Sequence, residues 1–392
     1  MREAGVAASV LASDLDAFLD RRTEANRLFF DAEAERVARL CHRMAERFAR
    51  DGRLIALASS PAAASDARHV AVEFVHPVIV GKRALPALAL VGDDVELTRQ
   101  VELLAQPADV VIGFGAEADG GAVAHALGRA RGRDCLTVAF ADAGAEWELE
   151  PPSADRHIRQ ELVETCYHVL WELVHVFFEH RGLLEGREPR RVHDAGASSF
   201  LYPFLAEAED QLDAVLDDVR ASALMKAEEI GTLRVQTLTE NRETLVHAGA
   251  ALRECVARGG KLLALGNGGS ATDAMDVVAD FRAAPGVPAI DLTEDSSIIT
   301  AIANDIGTDA IFSRQVIAYG AAGDALLALS TSGNSRNVID ALGEARRRGL
   351  VTIAMVGYDG GRVYAEELAD HVVVTRSEHI PRIQEAQASA YH

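Results

Sequence analysis

The stretch "LLALGNGGSATDA", residues 262–274, joins an apolar run to a helix-compatible segment through a glycine-rich turn. Glycines allow the backbone to approach a ligand closely, and Ser270 stands where the helix begins. The N–H groups and the positive dipole end of a helix favour an anion. This stretch therefore predicts a strand, an anion-binding loop and a helix.

A second loop of the same kind, Ser330-Thr331-Ser332-Gly333-Asn334-Ser335, lies between the apolar run "ALLAL" and the helical segment "RNVIDALGEARR". Two such loops in one parallel sheet would lie at the carboxyl ends of strands, where α/β proteins bind ligands. The sequence contains neither a P-loop G-K-[ST] nor a G-x-G-x-x-G fingerprint, so we expect a phosphate monoester and no nucleotide cofactor. Either loop taken alone is explained equally well as a tight turn with a serine helix cap.

Composition narrows the class of protein. The 392 residues are 49% hydrophobic and 25% charged, which is typical of a globular protein of two domains. The net charge of −21 argues against broad binding to nucleic acid or an anionic membrane. No apolar run approaches the ~18 residues of a membrane span, and the N-terminus lacks a signal-peptide pattern. The four cysteines form no C-x-x-C pair, so we expect reduced thiols in a cytoplasmic protein.

The chain contains two copies of one unit. Residues 51–74, "DGRLIALASSPAAASDARHVAVEF", repeat the rhythm of residues 259–281, "GGKLLALGNGGSATDAMDVVADF". Strands and helices then alternate in both copies, which predicts an α/β protein with two parallel sheets. A linker-like segment at 180–199 predicts a boundary near residue 195, with domains at 1–190 and 191–392.

The first copy has lost the features that hold phosphate. Its loops read "ASSPAAAS" and "GFGAEADGGA", without the glycines of the first loop or the hydroxyls of the second. Glu117 and Asp119 would also repel a phosphate. We therefore expect the second domain to bind phosphate and the first domain not to bind it.

Five motifs of the second copy together resemble sedoheptulose 7-phosphate isomerase (phosphoheptose isomerase), of the sugar isomerase, or SIS, domain superfamily: "GNGGSATDA", "ITAIANDIGTDAIFSRQV", "LLALSTSGNSRNVIDAL", "GYDGG" and "RIQE". The resemblance implies two flavodoxin-like SIS domains, each a parallel sheet flanked by helices. It also implies a homo-oligomer, with the two domains packed as a pseudo-dimer, and aldose–ketose isomerisation of a heptose 7-phosphate.

The resemblance also implies which residues bind the phosphorylated sugar. The predicted substrate- and phosphate-binding residues are Asn267, Gly268, Ser270, Asp295, Ser330, Thr331, Ser332, Ser335 and Gln384. In the family a glutamate acts as base and a histidine as acid, and some members hold zinc through H-x-x-x-E and Q-x7-H.

The first copy has this whole metal pattern, His69 with Glu73 and Gln160 with His168. Residues four apart share a helix face, and eight residues make a little over two turns, so each pair can point one way. We therefore expect zinc in the first domain, with a metal-free polar cluster as the alternative.

The second copy departs from the pattern. It has Asp276 and Asp280 in place of the histidine and glutamate, keeps Gln384 and His392, and has Pro381 where relatives can carry an aspartate. The predicted catalytic residues are Asp280, His392, Glu73 and His168.

Two functions fit these features. The first is a tandem sugar-phosphate isomerase in which the second domain binds the phosphate and Asp280, His392 or groups from the first domain move the protons. The alternative is a non-catalytic sugar-phosphate-binding protein with a regulatory or scaffold role, because Asp280 is one methylene shorter than the family's glutamate and a small misplacement can cost a factor of ~100 in rate.

Overall fold

A computed structural model of the chain describes residues 2–79, 82–118, 120–179, 184, 212–284 and 286–392, with side chains from residue 15 onward. Contacts divide the chain into two compact units. The N-terminal unit runs from Glu24 to Glu229, and the C-terminal unit runs from Ile230 to His392 and includes the segment up to Thr23. The predicted boundary near residue 195 lies outside the described residues and stays a prediction.

The N-terminal unit is built on one parallel sheet. Its strands are β1 Leu54–Ala58, β2 Ala87–Val91, β3 Val110–Phe114, β4 Leu136–Ala139 and β5 Trp147–Glu148. The helices up to residue 179 are α1 Arg2–Ala49, α2 Pro61–Val75, α3 Asp94–Leu104, α4 Ala122–Arg131 and α5 Arg156–Glu179, and the part of α1 up to Thr23 belongs to the C-terminal unit. All strand pairs are parallel, in the order β2-β1-β3-β4-β5.

Both faces of this sheet are covered. In β1, Leu54 and Ala56 belong to the apolar cluster that includes residues of α1, α2 and α5. Ile55 and Leu57 belong to the cluster formed with α3 and α4. A parallel sheet with helices on both faces requires apolar residues at successive strand positions, which explains the continuous run "LIALA".

The C-terminal unit has the same architecture. Its strands are β6 Leu262–Leu265, β7 Ala289–Asp291, β8 Ala325–Ser330, β9 Val351–Gly357 and β10 His371–Thr375. The helices that follow α5 are α6 Leu212–Glu240, α7 Arg242–Ala257, α8 Gly269–Ala283, α9 Ser296–Asp305, α10 Ser313–Tyr319, α11 Arg336–Arg347, α12 Gly361–Ala365 and α13 Ile380–Tyr391. A 3₁₀ turn covers Thr308–Ala310.

The strand order of the second sheet, β7-β6-β8-β9-β10, repeats that of the first, and every pair is parallel. In order of appearance within each unit, both sheets read 2-1-3-4-5, which is the flavodoxin-like order. The predicted α/β fold with two flavodoxin-like domains is therefore confirmed. In the part of the chain that the structure describes, no helix is both long and apolar enough to cross a membrane.

Candidate functional site

The two serine- and glycine-rich loops of the C-terminal unit lie side by side. Strands β6 and β8 are paired in parallel from Leu262 with Ala325 to Leu265 with Ala328, so the loops after them leave the same edge of the sheet. Side chains also join the first loop to the start of α11, which follows the second loop: Asn267 Nδ2 donates to Asn337 Oδ1 at 3.0 Å, and Asn337 Nδ2 donates to Asn267 Oδ1 at 2.9 Å. Strand β7 pairs with the other side of β6, so the order reverses at the point where the loops meet.

The first loop has a backbone that only glycine can form. Gly268 precedes α8 with φ 59° and ψ −124°, and no side chain caps the helix. A Cβ on Gly266 would lie 2.1 Å from the carbonyl oxygen of Ser270. Ser270 itself is 3% exposed, and its N–H donates to the carbonyl oxygen of Asn267 at 3.1 Å. The first turn of α8 is therefore packed directly against the end of β6.

The second loop is held in shape by its own hydroxyls. Ser330 Oγ accepts from the N–H of Gly333 at 3.2 Å, and Ser332 Oγ accepts from the N–H of Asn334 at 3.2 Å. Thr331 is tied to the next strand, because its carbonyl oxygen accepts from the N–H of Gly357 at 2.9 Å. Ser335 stands at the start of α11, and its side chain makes no capping hydrogen bond. The Ser335 hydroxyl therefore lies at the N-terminus of α11 without capping that helix.

The neighbouring loop "GYDGG", residues 357–361, packs closely against this serine loop. Gly333 has φ 61°, and a Cβ there would lie 2.2 Å from the carbonyl oxygen of Gly360. Gly361 has φ 55°, and its Cβ would lie 2.3 Å from the carbonyl oxygen of Ser332. Asn334 completes the contact by accepting the N–H of Arg362 on Oδ1 at 3.0 Å. Both glycines are therefore needed for the close approach of the two loops.

Asp295, the predicted sugar contact, caps α9 at the same edge of the sheet. Its Oδ1 accepts from the N–H groups of Ser297 at 2.8 Å and Ile298 at 3.1 Å. It also lines a cavity of about 380 Å³ with Asp291 and Gln315. Burial raises the pKa of Asp291, despite the hydrogen bonds from Thr293 that oppose the shift.

The corresponding helix start in the N-terminal unit is already occupied. Ser60 caps α2 by accepting from the N–H of Ala63 at 3.3 Å. Pro61 is the first residue of the helix and has no N–H to offer. At the second loop, α4 begins after Gly121 with no capping side chain, and Glu117 is exposed. Asp119 lies outside the described residues. These contacts give a physical reason for expecting no phosphate site in this unit.

A buried histidine cluster lies in the N-terminal unit. His69 on α2 and His168 on α5 are 2% and 0% exposed, and their Nε2 atoms are 3.3 Å apart. Glu73 Oε1 is 3.9 Å from His69 Nε2, and the three residues offer ligand atoms within 4.8 Å of one another. Gln160 lies on α5, eight residues before His168. The structure therefore brings three of the four predicted metal ligands together and places the fourth on the same helix as one of them.

Two features of this cluster concern its charge. Burial lowers the pKa of His69 well below 6.5, and the neighbouring His168 adds to this shift. Glu164, which the sequence analysis did not single out, has Oε1 4.0 Å from His69 Nδ1. Two imidazoles and a carboxylate form a nitrogen–oxygen donor set that suits zinc.

The C-terminal unit brings different side chains together at its equivalent positions. His392 Nε2 is 3.1 Å from Asp276 Oδ2, and Tyr391 donates its hydroxyl to the same oxygen at 3.2 Å. Asp280 Oδ2, the predicted base, is 4.0 Å from His392 Nε2. Gln384 is 2% exposed on α13. The sequence analysis noted Asp276 as a substitution but missed it as a partner of His392; its repeat equivalence to His69 was the signal that could have found it.

The folded units and their loops are those of a SIS-domain protein, and comparison with known proteins gives the same result. A model of the SIS domain family matches residues 227–357. The phosphoheptose isomerase of Desulfovibrio desulfuricans is 43% identical over 185 residues, which cover 46% of this chain and 85% of that protein. That of Chlorobium phaeobacteroides is 43% identical over 189 residues, covering 46% of this chain and 79% of that protein.

The chain belongs to the SIS-domain family, with phosphoheptose isomerases among its relatives. Among solved structures, the C-terminal domain of glucosamine-fructose-6-phosphate aminotransferase from Francisella tularensis aligns with 95% of this chain and 91% of its own, with a TM-score of 0.60. At 9% identity, that likeness shows a shared fold alone.

Proposed function

We propose that the protein is an isomerase that interconverts the aldose and ketose forms of a phosphorylated sugar of the heptose 7-phosphate class. The observation that carries this proposal is the pair of loops in the C-terminal unit, joined by Asn267 and Asn337 at the carboxyl ends of adjacent parallel strands. Relatives that are named phosphoheptose isomerases and are about 43% identical support the substrate class.

The phosphate is placed at these loops because two helices begin there. Neither α8 nor α11 has a side-chain cap, so both present the positive end of a helix dipole at this edge of the sheet. Ser270 and Ser335 add hydroxyls at the two helix starts. A phosphate monoester is a dianion at neutral pH, and such helix starts bind anions without any lysine or arginine.

The reaction needs a base and an acid close to each other. The base takes the proton from the carbon next to the carbonyl, and the acid gives a proton to the carbonyl oxygen, forming an enediol. The reverse transfers, with the roles exchanged between the two carbons, complete the isomerisation. Asp280 is assigned as the base and His392 as the acid, since their side chains lie 4.0 Å apart.

The proposal includes a divalent metal, zinc, in the N-terminal unit. His69, His168 and Glu73 would hold it, with Gln160 as the fourth ligand. Two nitrogens and two oxygens form a four-ligand set of the kind that zinc accepts. When bound, the ion would supply a Lewis acid to that unit.

The first test is isomerisation of sedoheptulose 7-phosphate by the purified chain, with and without added zinc. Binding is measured separately by thermal shift, because a ligand at 100 times its Kd should add about 2.7 kcal/mol to stability. The double variant Ser330→Ala with Ser335→Ala should lose the shift, whereas Ser60→Ala, the matched helix-start variant in the N-terminal unit, should keep it. An unchanged shift in the double variant contradicts the assigned phosphate site. Binding without turnover in the wild type supports the non-catalytic alternative.

A further inference from the structure

The two units bring the same pair of repeat positions into contact but fill it with different chemistry. In the N-terminal unit the pair is His69 with His168, whose Nε2 atoms are 3.3 Å apart. In the C-terminal unit it is Asp276 with His392, 3.1 Å apart. The side chains of Asp276 and His392 are 4% and 1% exposed, so the contact is shielded from water. The two pairs therefore differ at one position, which is histidine in the N-terminal unit and aspartate in the C-terminal unit. The first pair consists of two facing imidazoles, and the second is a buried carboxylate–imidazole pair.

This replacement fixes the hydrogen on one nitrogen of the ring. An ionised carboxylate only accepts hydrogen bonds, so the Nε2 atom of His392 must be the donor to Asp276 Oδ2. Proton transfer then takes place at the other nitrogen, Nδ1. Tyr391 donates to the same carboxylate oxygen at 3.2 Å, which holds the carboxylate in place. Facing imidazoles such as His69 and His168 impose no single choice of this kind, because either ring can be the donor.

We propose that Asp276 is a positioning residue that orients His392 and stabilises its imidazolium form, making His392 the acid of the C-terminal unit. The role rests on the proposed isomerase function. The imidazolium gives its Nδ1 proton to the carbonyl oxygen of the sugar while the base takes the proton from the adjacent carbon. The new carbonyl forms at the carbon that lost its proton, and His392 regains a proton from the hydroxyl on that carbon. The base returns its proton to the carbon that carried the original carbonyl. Protons therefore balance over one turnover, and Asp276 stays ionised throughout.

Asp276→Asn tests this role because it keeps the shape of the side chain and removes its charge. The turnover number should fall roughly 10- to 100-fold, which is part of the ~10²–10⁴-fold that a complete acid–base contribution gives, while KM stays within about threefold. Tyr391→Phe is the matched control, since it removes the second hydrogen bond to the same oxygen and leaves the carboxylate. Its turnover number should fall less than tenfold. Thermal shift with the sugar phosphate should be unchanged in both variants, which shows that each is folded and binds.

Nitrogen-15 NMR of histidine-labelled protein gives a readout that a merely structural role would not move. At a pH where the ring is neutral, the His392 signals, assigned with His392→Gln, should show the Nε2–H form in the wild type and a mixture of tautomers in Asp276→Asn. A wild-type turnover number in Asp276→Asn, or an unchanged tautomer, overturns this role alone. Absence of turnover in the wild type with any sugar phosphate overturns the proposed function and this role together.

Discussion

Gly266→Ala should weaken sugar-phosphate binding about 10- to 100-fold while most of the fold survives. Gly266 follows β6, and an added Cβ would lie 2.1 Å from the carbonyl oxygen and 2.4 Å from the carbonyl carbon of Ser270. Both atoms belong to the backbone of the first turn of α8, so no side-chain rotation relieves the clash. The start of the helix must move away from the strand, and it is this helix start that we assign to the phosphate.

The size of the effect follows from the distances. An ordinary contact between carbon and oxygen is about 3.3 Å, so the helix start must shift by roughly 1 Å. A hydrogen bond to a charged group contributes about 1.5–3 kcal/mol, and each 1.4 kcal/mol is about a factor of ten in affinity. Loss of one phosphate contact through this shift should therefore weaken binding about 10- to 100-fold.

The assay is titration calorimetry with sedoheptulose 7-phosphate on wild type, Gly266→Ala and the matched control Gly343→Ala. Gly343 lies in α11, and an added Cβ there has no atom within 4 Å. Replacing a helical glycine by alanine should raise stability by roughly 0.5–1 kcal/mol and leave binding unchanged. If Gly266→Ala binds within twofold of the wild type, the phosphate does not sit at the start of α8 and the reasoning is wrong.

Three further predictions concern single side chains. Asp295→Ala should cost about 1 kcal/mol because α9 loses its cap, whereas Asp295→Asn should keep the cap; a loss of turnover in the asparagine variant at unchanged stability would then assign a sugar contact. Burial raises the pKa of Asp291, so the folded state holds this proton more tightly than the unfolded state, and ionisation costs stability at neutral pH. Asp291→Asn should thus melt above the wild type at pH 7, and the gap should close as the pH falls toward 3.8, the ordinary value; a gap independent of pH contradicts this. His69→Ala should lose the metal that elemental analysis finds in the wild type, and equal, substoichiometric metal in both proteins would exclude the site.

Sequence patterns were sufficient for the fold because each signal is local. The strand of residues 54–58 is a continuous apolar run, and the turn at Gly266 to Gly268 ends the strand before α8. Repeating these signals twice predicts two parallel sheets, and both are present in one strand order. The contacts divide the chain after residues 23 and 229, inside α1 and α6, while the predicted boundary near residue 195 lies outside the described residues and stays a prediction. A helix has no composition change at such a point, whereas a linker does.

The contacts that complete the site depend on which strands are neighbours, and a local pattern does not contain that information. Asn267 and Asn337 are 70 residues apart and meet because β6 pairs with β8, with β7 placed outside them. The reading of Ser335 as a phosphate contact had no support from spacing alone, because a serine before a helix usually caps it. Its side chain makes no capping bond, whereas Ser60 in the N-terminal unit does. The same residue type at a helix start thus caps one helix and leaves another helix uncapped in one chain.

A comparison of repeats made one position at a time misses contacts between positions. Asp280 stays the predicted base from its match to the family's glutamate, while the carboxylate nearer to His392 is that of Asp276, at 3.1 Å against 4.0 Å. Comparing pairs of equivalent positions in the two units is more informative, because both units have a contact at the same place in the fold. The contact is present although the separation along the chain and one residue type differ. His69 and His168 are 99 residues apart, and Asp276 and His392 are 116 apart, yet each pair joins the helix after the first strand of its unit to the helix that follows the last strand, or to the residue at its end. A change at one member of such a pair alters the chemistry of the contact without dissolving it. Under the proposed function, the N-terminal pair would hold a metal and the C-terminal pair would transfer protons, so that the two units of one chain have separate roles.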